Sequence, residues 1–201
     1  MKLYVTVGSP YARLARMVVA AKGLADRVET IVVQTRVAGS PYYGIAPSGR
    51  VPFLELDDGS TMEDSALICA YLDSLDGKPL FHGPDPDWSR ARMEALARSF
   101  CDGLAVRIRE TYRPENERSP GVMAHEDARA QRLADVLERE VAEAGWQGTP
   151  HMAHLVLVSA LDFARDRGYA DLTEGRPALR AWLGRMRAVP AVSGAPVVLR
   201  S

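Results

Sequence analysis

Residues 49–56 read Gly-Arg-Val-Pro-Phe-Leu-Glu-Leu (GRVPFLEL), a proline set directly before a short alternating run. Proline carries no N–H for a sheet ladder, so within sheets it sits at edges, first residues or bulges. On the dipeptide alone, Val51-Pro52 reads as the start of an edge strand. Its surroundings widen the choice. Downstream, FLEL is followed by DDGS (57–60) and Thr61-Met62, and Asp58-Gly59 is a type I′ turn signal, which predicts a hairpin. Upstream, KLYVTV (2–7) alternates as a strand, and Pro10 opens a helix with Leu14, Met17, Val18 and Ala21 on one face. Gly23 stands where that helix should end. VETIVV (28–33) is a second strand, and the intervening helix makes the pair a parallel crossover. A loop or short-helix region covers 35–49. A further helix starts near Asp64 and carries Ala66, Leu67, Ala70, Tyr71 and Leu75 toward Gly77.

KPLFHGPDPD (78–87) holds three prolines and reads as a linker. Beyond it the long segments have helical period, at about 88–112, 122–144, 150–168 and 176–188. HLVLVSALDFA (154–164) is apolar nearly all round and is expected at the centre of a bundle. The tail after Ala188, with prolines at 190 and 196, is expected to be irregular. The fold class is therefore an α/β domain of βαβ-ββα order, thioredoxin-like, followed by an all-α domain. The expected bounds are 1–77, a linker at 78–87, and 88–201.

Composition excludes several classes. With 201 residues, 25 basic against 26 acidic side chains and 47% apolar residues, the chain has the profile of an ordinary globular protein. That balance argues against the basic face that sequence-independent nucleic-acid binding needs, though it does not exclude a local patch, and no nucleic-acid partner is expected. No apolar run approaches the roughly 18–20 residues that cross a bilayer, so no membrane partner is expected. The opening MKLYVTVGSP lacks the apolar core and cleavage pattern of a secretory signal. Cys69 and Cys101 have no CxxC or metal-ligand spacing, which suits a reducing compartment. A cytoplasmic location is expected, and the excess of arginine over lysine suggests a GC-rich, bacterial genome.

GSPYARLARMVVAAKGL (8–24), APSGRVPFLELDDGSTMEDSALICAYLD (46–73) and the linker into helices together resemble the glutathione S-transferase superfamily. The resemblance is closest to bacterial members with a Ser-Pro-Tyr/Phe motif after the first strand and Asp-Ser before the helix that follows the hairpin. The helical half matches in pattern, including Arg109-Glu110 and Arg113-Pro114. The resemblance implies a cis bond before Pro52, leaving the N–H and C=O of Val51 to pair with an extended peptide, glutathione, as in strand addition. It implies that Ser9 is the catalytic serine that donates its hydroxyl hydrogen to the glutathione sulfur, with the N–H of Tyr11 or Ala12 as added donors. Asp64 and Ser65 match the pair that holds the γ-glutamyl end, Asp64 on its ammonium and Ser65 on its carboxylate. Arg50 is a further candidate, for the glycyl carboxylate. The acceptor pocket for an electrophilic small molecule is implied between Tyr11 and the first helix of the second domain, with Arg107, Ile108, Arg109 and Tyr112 as candidates. A homodimer is implied as well.

Each of these residues also has a plain structural reading. Ser9 before Pro10 is an ordinary N-cap, and Asp64-Ser65 an ordinary helix start. Arg50 suits a solvated loop. What separates the readings is the joint presence of all three pairs at the family's spacing. Positions 9 and 12 hold serine and alanine, so dithiol redox chemistry is not expected. Glutathione-dependent isomerase or peroxidase chemistry, and a non-catalytic binding or regulatory module, remain as alternatives to transfer. His151-Met152-Ala153-His154 stands where relatives carry a Ser/Thr-x-x-Asp capping box; Thr149 is expected to cap instead, with Pro150 at the first helical position and the reciprocal bond lost. Two histidines at this spacing lack a third ligand for a metal, and they are expected to be partly exposed.

Overall fold

A computed structural model describes residues 1–83, 85 and 88–198. Of the segment expected to be a linker, Pro84, Pro86 and Asp87 lie outside the described residues, as do 199–201 of the expected tail. The chain divides into two compact units, Met1–Gly83 with Pro190–Ser201, and Pro84–Val189.

The first unit is built on four strands, β1 (Lys2–Val5), β2 (Glu29–Val32), β3 (Phe53–Glu55) and β4 (Thr61–Glu63), in the order β2-β1-β3-β4. The β1–β2 pair is parallel and joined through α1 (Pro10–Ala21), while β1–β3 and β3–β4 are antiparallel. Side chains alternate across a strand, so Tyr4 and Phe53 share one face with Tyr42 and Ala46, and Leu3, Val5 and Leu54 point to the other. A 3-10 turn, Pro41–Gly44, brings Tyr42 to that aromatic cluster. α1 and α2 (Ser65–Ser74) pack on each other.

Three local expectations are corrected. The hairpin turn is not type I′, which needs positive φ at both central residues. Among the described residues only Arg36, Asp64 and Trp88 have positive φ outside glycine, so Asp58 does not. Gly59 alone takes the left-handed region, its N–H bonding Leu56 O at 3.1 Å while Leu56 N–H bonds Ser60 O at 2.8 Å. Asp58 Oδ1 holds the turn by accepting from Ser60 N and Oγ. On α2 the buried stripe is Ser65, Ile68, Cys69 and Leu72, whereas Leu67 is 54% exposed. The tail is not irregular throughout: Pro190–Ser193 forms a short helix, α7, that packs on α1 and so groups with the first unit, not the helical one.

The start of the expected linker is also anchored. Asp73, fully buried on α2, accepts from the N–H groups of Leu80 (2.9 Å), Phe81 (2.8 Å) and His82 (3.0 Å) and lies 3.0 Å from His82 Nδ1. Lys22 at the end of α1 stands 3.6 Å from the same carboxylate and bonds Asp76 and the carbonyl of Lys78.

The second unit is helical: α3 (Ser89–Thr111), α4 (Pro120–Glu140), α5 (Met152–Asp166) and α6 (Pro177–Arg187). Asp85 caps α3, its carboxylate accepting from Arg90 and Ala91 N–H, with Trp88 in the left-handed region between them. α5 is buried from Met152 to Ala164 and packs on α3, as its all-round apolarity requires. Thr149 does not cap α5. The cap is His151, whose N–H donates to His154 Nδ1 at 3.3 Å, so histidine supplies the reciprocal bond that an acid supplies elsewhere. Both rings are buried, at 6% and 1% exposure, against Trp146, and His154 also stacks on Trp182. The expectation of exposed histidines fails because the turn at Ala144–Trp146 folds an indole over them.

Candidate functional site

Strand register gathers the candidate residues of the first unit. Tyr4 pairs with Phe53, and Phe53 with Glu63. The end of β1, the start of β3 and the end of β4 therefore lie side by side. Ser9 follows the first, Pro52 precedes the second, and Asp64 follows the third. Residues separated by more than fifty positions thus follow or precede strand ends at the same end of the sheet.

The Val51–Pro52 bond is cis. Among the described residues the N–H and C=O of Val51 have no hydrogen-bond partner, and the residue is only half-buried. Tyr42 holds the adjoining loop by donating its hydroxyl to Arg50 O at 2.6 Å. Gly49 makes the loop's close approach possible: its φ is +63°, and a Cβ there would fall 2.7 Å from Tyr43 Cε1. The Arg50 side chain is exposed.

Ser9 caps α1 with extended backbone, its Oγ accepting from Ala12 N–H at 3.2 Å. That bond withdraws Ala12 N–H from the donors expected for a ligand. A hydroxyl accepts and donates at once, so the Ser9 hydrogen remains available to a further acceptor. Tyr11 is half-buried in the first turn, where helix N–H groups and dipole favour an anion.

Asp64 is the N-cap of α2, its Oδ1 accepting from Ala66 N–H (2.7 Å) and Leu67 N–H (3.2 Å). Its φ of 76° and ψ of 124° fall where only glycine is comfortable, and such strain persists only where the surroundings impose it. Its side chain is exposed while Ser65 is buried.

The acceptor-pocket candidates lie on α3 in the second unit. Ile108 is a core residue and is withdrawn from that set. Arg107 is committed to a cluster in which Asp127 Oδ1 accepts from its Nε (2.7 Å) and from Tyr169 OH (2.7 Å), while its guanidinium covers the Tyr169 ring at 5.3 Å. Arg109 and Tyr112 are exposed. Sequence reasoning missed the burial of Arg13 and Arg16 in α1, because nothing in the helix's own pattern distinguishes a buried arginine from a solvated one.

The chain is similar to known proteins over part or most of its length. Residues 8–75 match the family model described as glutathione S-transferase, N-terminal domain. Mouse glutathione S-transferase omega-2 is 33% identical over 102 residues, 50% of this chain and 40% of that protein. The chain thus spans well under half the length of that relative. Glutaredoxin 2 of Escherichia coli K12 is 28% identical over 202 residues, covering 85% of this chain and 93% of that one. A Pseudomonas fluorescens Pf-5 glutathione transferase family member, crystallised with bound S-(propanoic acid)-glutathione, superposes with a TM-score of 0.82 at 26% identity, over 97% of this chain and 98% of the other.

Proposed function

We propose that this chain, whose matches support membership of the glutathione S-transferase superfamily, is a glutathione transferase that uses a serine to hold the thiolate. The observation that carries the reading is the unpartnered main chain of Val51 beside the caps of α1 and α2. An extended tripeptide laid along Val51 completes two hydrogen bonds that the chain leaves open. Its sulfur then lies toward Ser9, whose hydroxyl donates to it, and the positive end of α1 favours the anion. Its γ-glutamyl end reaches the start of α2, where Ser65 and the helix N–H groups suit the carboxylate and Asp64 the ammonium. The protein contributes ionisation and placement, and the sulfur attacks an electrophilic small molecule. Arg50 extends toward the glycyl carboxylate, and Arg109 and Tyr112 are the remaining acceptor-side candidates. A homodimer completes the proposal, with a single species of twice the chain mass expected by light scattering.

The relative named glutaredoxin 2 raises the dithiol alternative. Serine and alanine at positions 9 and 12 leave it no thiol pair, and Cys69 and Cys101 are buried without a disulfide.

The test compares the parent with Ser9→Ala and Asp64→Ala. Glutathione at about 100 times its Kd should stabilise the parent by roughly 2.7 kcal/mol, seen as a higher Tm. Ser9→Ala should lose at least tenfold in turnover with an aryl halide while keeping glutathione affinity, the share expected of one donor to a developing charge being about 10²–10³-fold. Asp64→Ala should instead weaken glutathione binding. No Tm shift in the parent, or full rate in Ser9→Ala, overturns the reading.

A further inference from the structure

The sheet face that carries Tyr4, Tyr42 and Phe53 also carries a cavity that the glutathione reading does not use. Tyr4 pairs with Ile31, so strand alternation puts both side chains, with Val33, on that face. Beyond β2 the chain folds back over them. Arg36 and Gly39 take positive φ, at 60° and 72°. Ser40 ties the loop, its N–H bonding Val37 O at 3.1 Å and its Oγ donating to Gln34 O at 2.8 Å. The 3-10 turn then sets Tyr42 beside Tyr4, with ring centroids 5.8 Å apart. Strands and loop together enclose about 410 Å³, with the two buried tyrosines innermost and the exposed Val37 and Ile45 outermost.

The chemistry of the lining is narrow. No acid, arginine, lysine or histidine contributes to it. Both tyrosine hydroxyls are committed, Tyr4 to Glu55 Oε2 at 2.7 Å and Tyr42 to Arg50 O at 2.6 Å. The Glu55 carboxylate raises the Tyr4 phenol and burial raises that of Tyr42, so neither ionises at neutral pH. Ser40 is committed within the loop. The Gln34 carboxamide is left, with no partner among the described residues. Val37 and Ile45 are 46% and 42% exposed, so apolar surface open to water is gathered at one place and not scattered.

Glutathione does not suit this lining. Its carboxylates and ammonium would meet no opposite charge there, and none of the residues assigned to glutathione above borders the cavity. An apolar cavity within the roughly 300–1,000 Å³ of small-molecule sites, with one hydrogen-bonding group open, sets the class of ligand. We propose that the cavity is a second ligand site, for an uncharged, largely apolar small molecule with one oxygen held by Gln34. The occupant packs on the Tyr4 and Tyr42 rings and on Ile31 and Val33, and its oxygen accepts from the Gln34 amide. It is bound and not transformed, because the lining offers no free nucleophile, acid or base. The two sites share no residue, so both fill together.

The experiment uses the full chain and prodan, an uncharged naphthyl ketone whose emission shifts to the blue in apolar surroundings. The parent should show saturable, blue-shifted emission. Val37→Asp puts a carboxylate at the opening and should weaken binding at least about tenfold. Gln34→Ala should weaken it about three- to tenfold, the worth of one neutral hydrogen bond. Val122→Asp changes a comparably exposed valine on α4 and should leave binding as it was. Saturating glutathione should not displace the dye. No saturable binding by the parent, or binding that neither Val37→Asp nor Gln34→Ala weakens, overturns the proposal. Displacement by glutathione does the same, because it puts the dye in the other site. A parent that binds no prodan but loses self-association on Val37→Asp assigns the cavity to a second copy of the chain, and is equally fatal.

Discussion

Replacing Asp73 by asparagine tests what joins α1, α2 and residues 80–82. In the parent, Oδ1 accepts from Leu80 N–H and Oδ2 from Phe81 and His82 N–H, with the carboxylate and the Phe81 bond buried and the other two bonds part-buried. Asparagine keeps one oxygen and puts an NH2 in place of the other, so one set of amides faces a donor. A buried N–H left unpaired costs about 1–3 kcal/mol. Lys22 loses one of two carboxylates and keeps Asp76 at 2.7 Å, so its share lies below the roughly 3–5 kcal/mol of a buried charge left with no partner. We expect a loss of about 2–4 kcal/mol, or a Tm lower by roughly 10 °C at the 2–4 °C per kcal/mol of a chain this size. Urea unfolding at neutral pH reads the energy, and hydrogen exchange at the amides of 80–82 reads its location. Acid supplies a second signature. Burial pushes the Asp73 carboxyl up, but the three amides and His82 outweigh it and hold it below its ordinary 3.8. A depressed acid stabilises above its unfolded pKa, so the parent's advantage should be full above about pH 4 and fade as pH falls further. A loss under about 1 kcal/mol, with the amides still protected, would refute the reasoning.

Two more perturbations probe other parts of the chain. Burial, and then His151, push His154 down to about 4, so the folded state resists a proton that the unfolded chain accepts near 6.5. Stability should therefore be full above about pH 6.5 and fall toward pH 4, by about 2 kcal/mol at pH 5. His154→Asn keeps an acceptor for His151 N–H and should flatten that slope; equal slopes in urea midpoint would exclude His154 as its source. Gly49→Ala combines positive φ with a clash against Tyr43, and should cost at least about 1 kcal/mol and weaken glutathione binding through the Val51 loop. An unchanged Tm and Kd would mean that the loop has room to spare.

The α/β order was legible because its punctuation is local. Pro10, Gly23, Pro52 and Gly59 each mark a place where the backbone must start, stop or turn, and the alternating runs between them suit strands only. The candidate site was legible for the same reason, since Ser9, Val51-Pro52 and Asp64-Ser65 lie at element ends that register brings together. What escaped depended on distant partners. Arg13 reads as a surface arginine until the carbonyl of Ala195, 182 residues away, is in place. The histidines looked solvated because Trp146 covers them from a separate turn. α7 is four residues long, too short for periodicity to reveal. The strain at Asp64 has no signature in composition, because aspartate is an ordinary cap until its φ is seen.

The shared membership of residues 1–83 and 190–196 in one unit constrains synthesis. As the chain leaves the ribosome, the sheet and both its helices emerge long before the carbonyls that receive two of their cations. The nascent first unit must wait, with those guanidiniums wet, while the more than one hundred residues of the second unit are translated. Its last layer closes only when residues 190–196 have followed the whole of the second unit, so one compact unit is interrupted by the making of another.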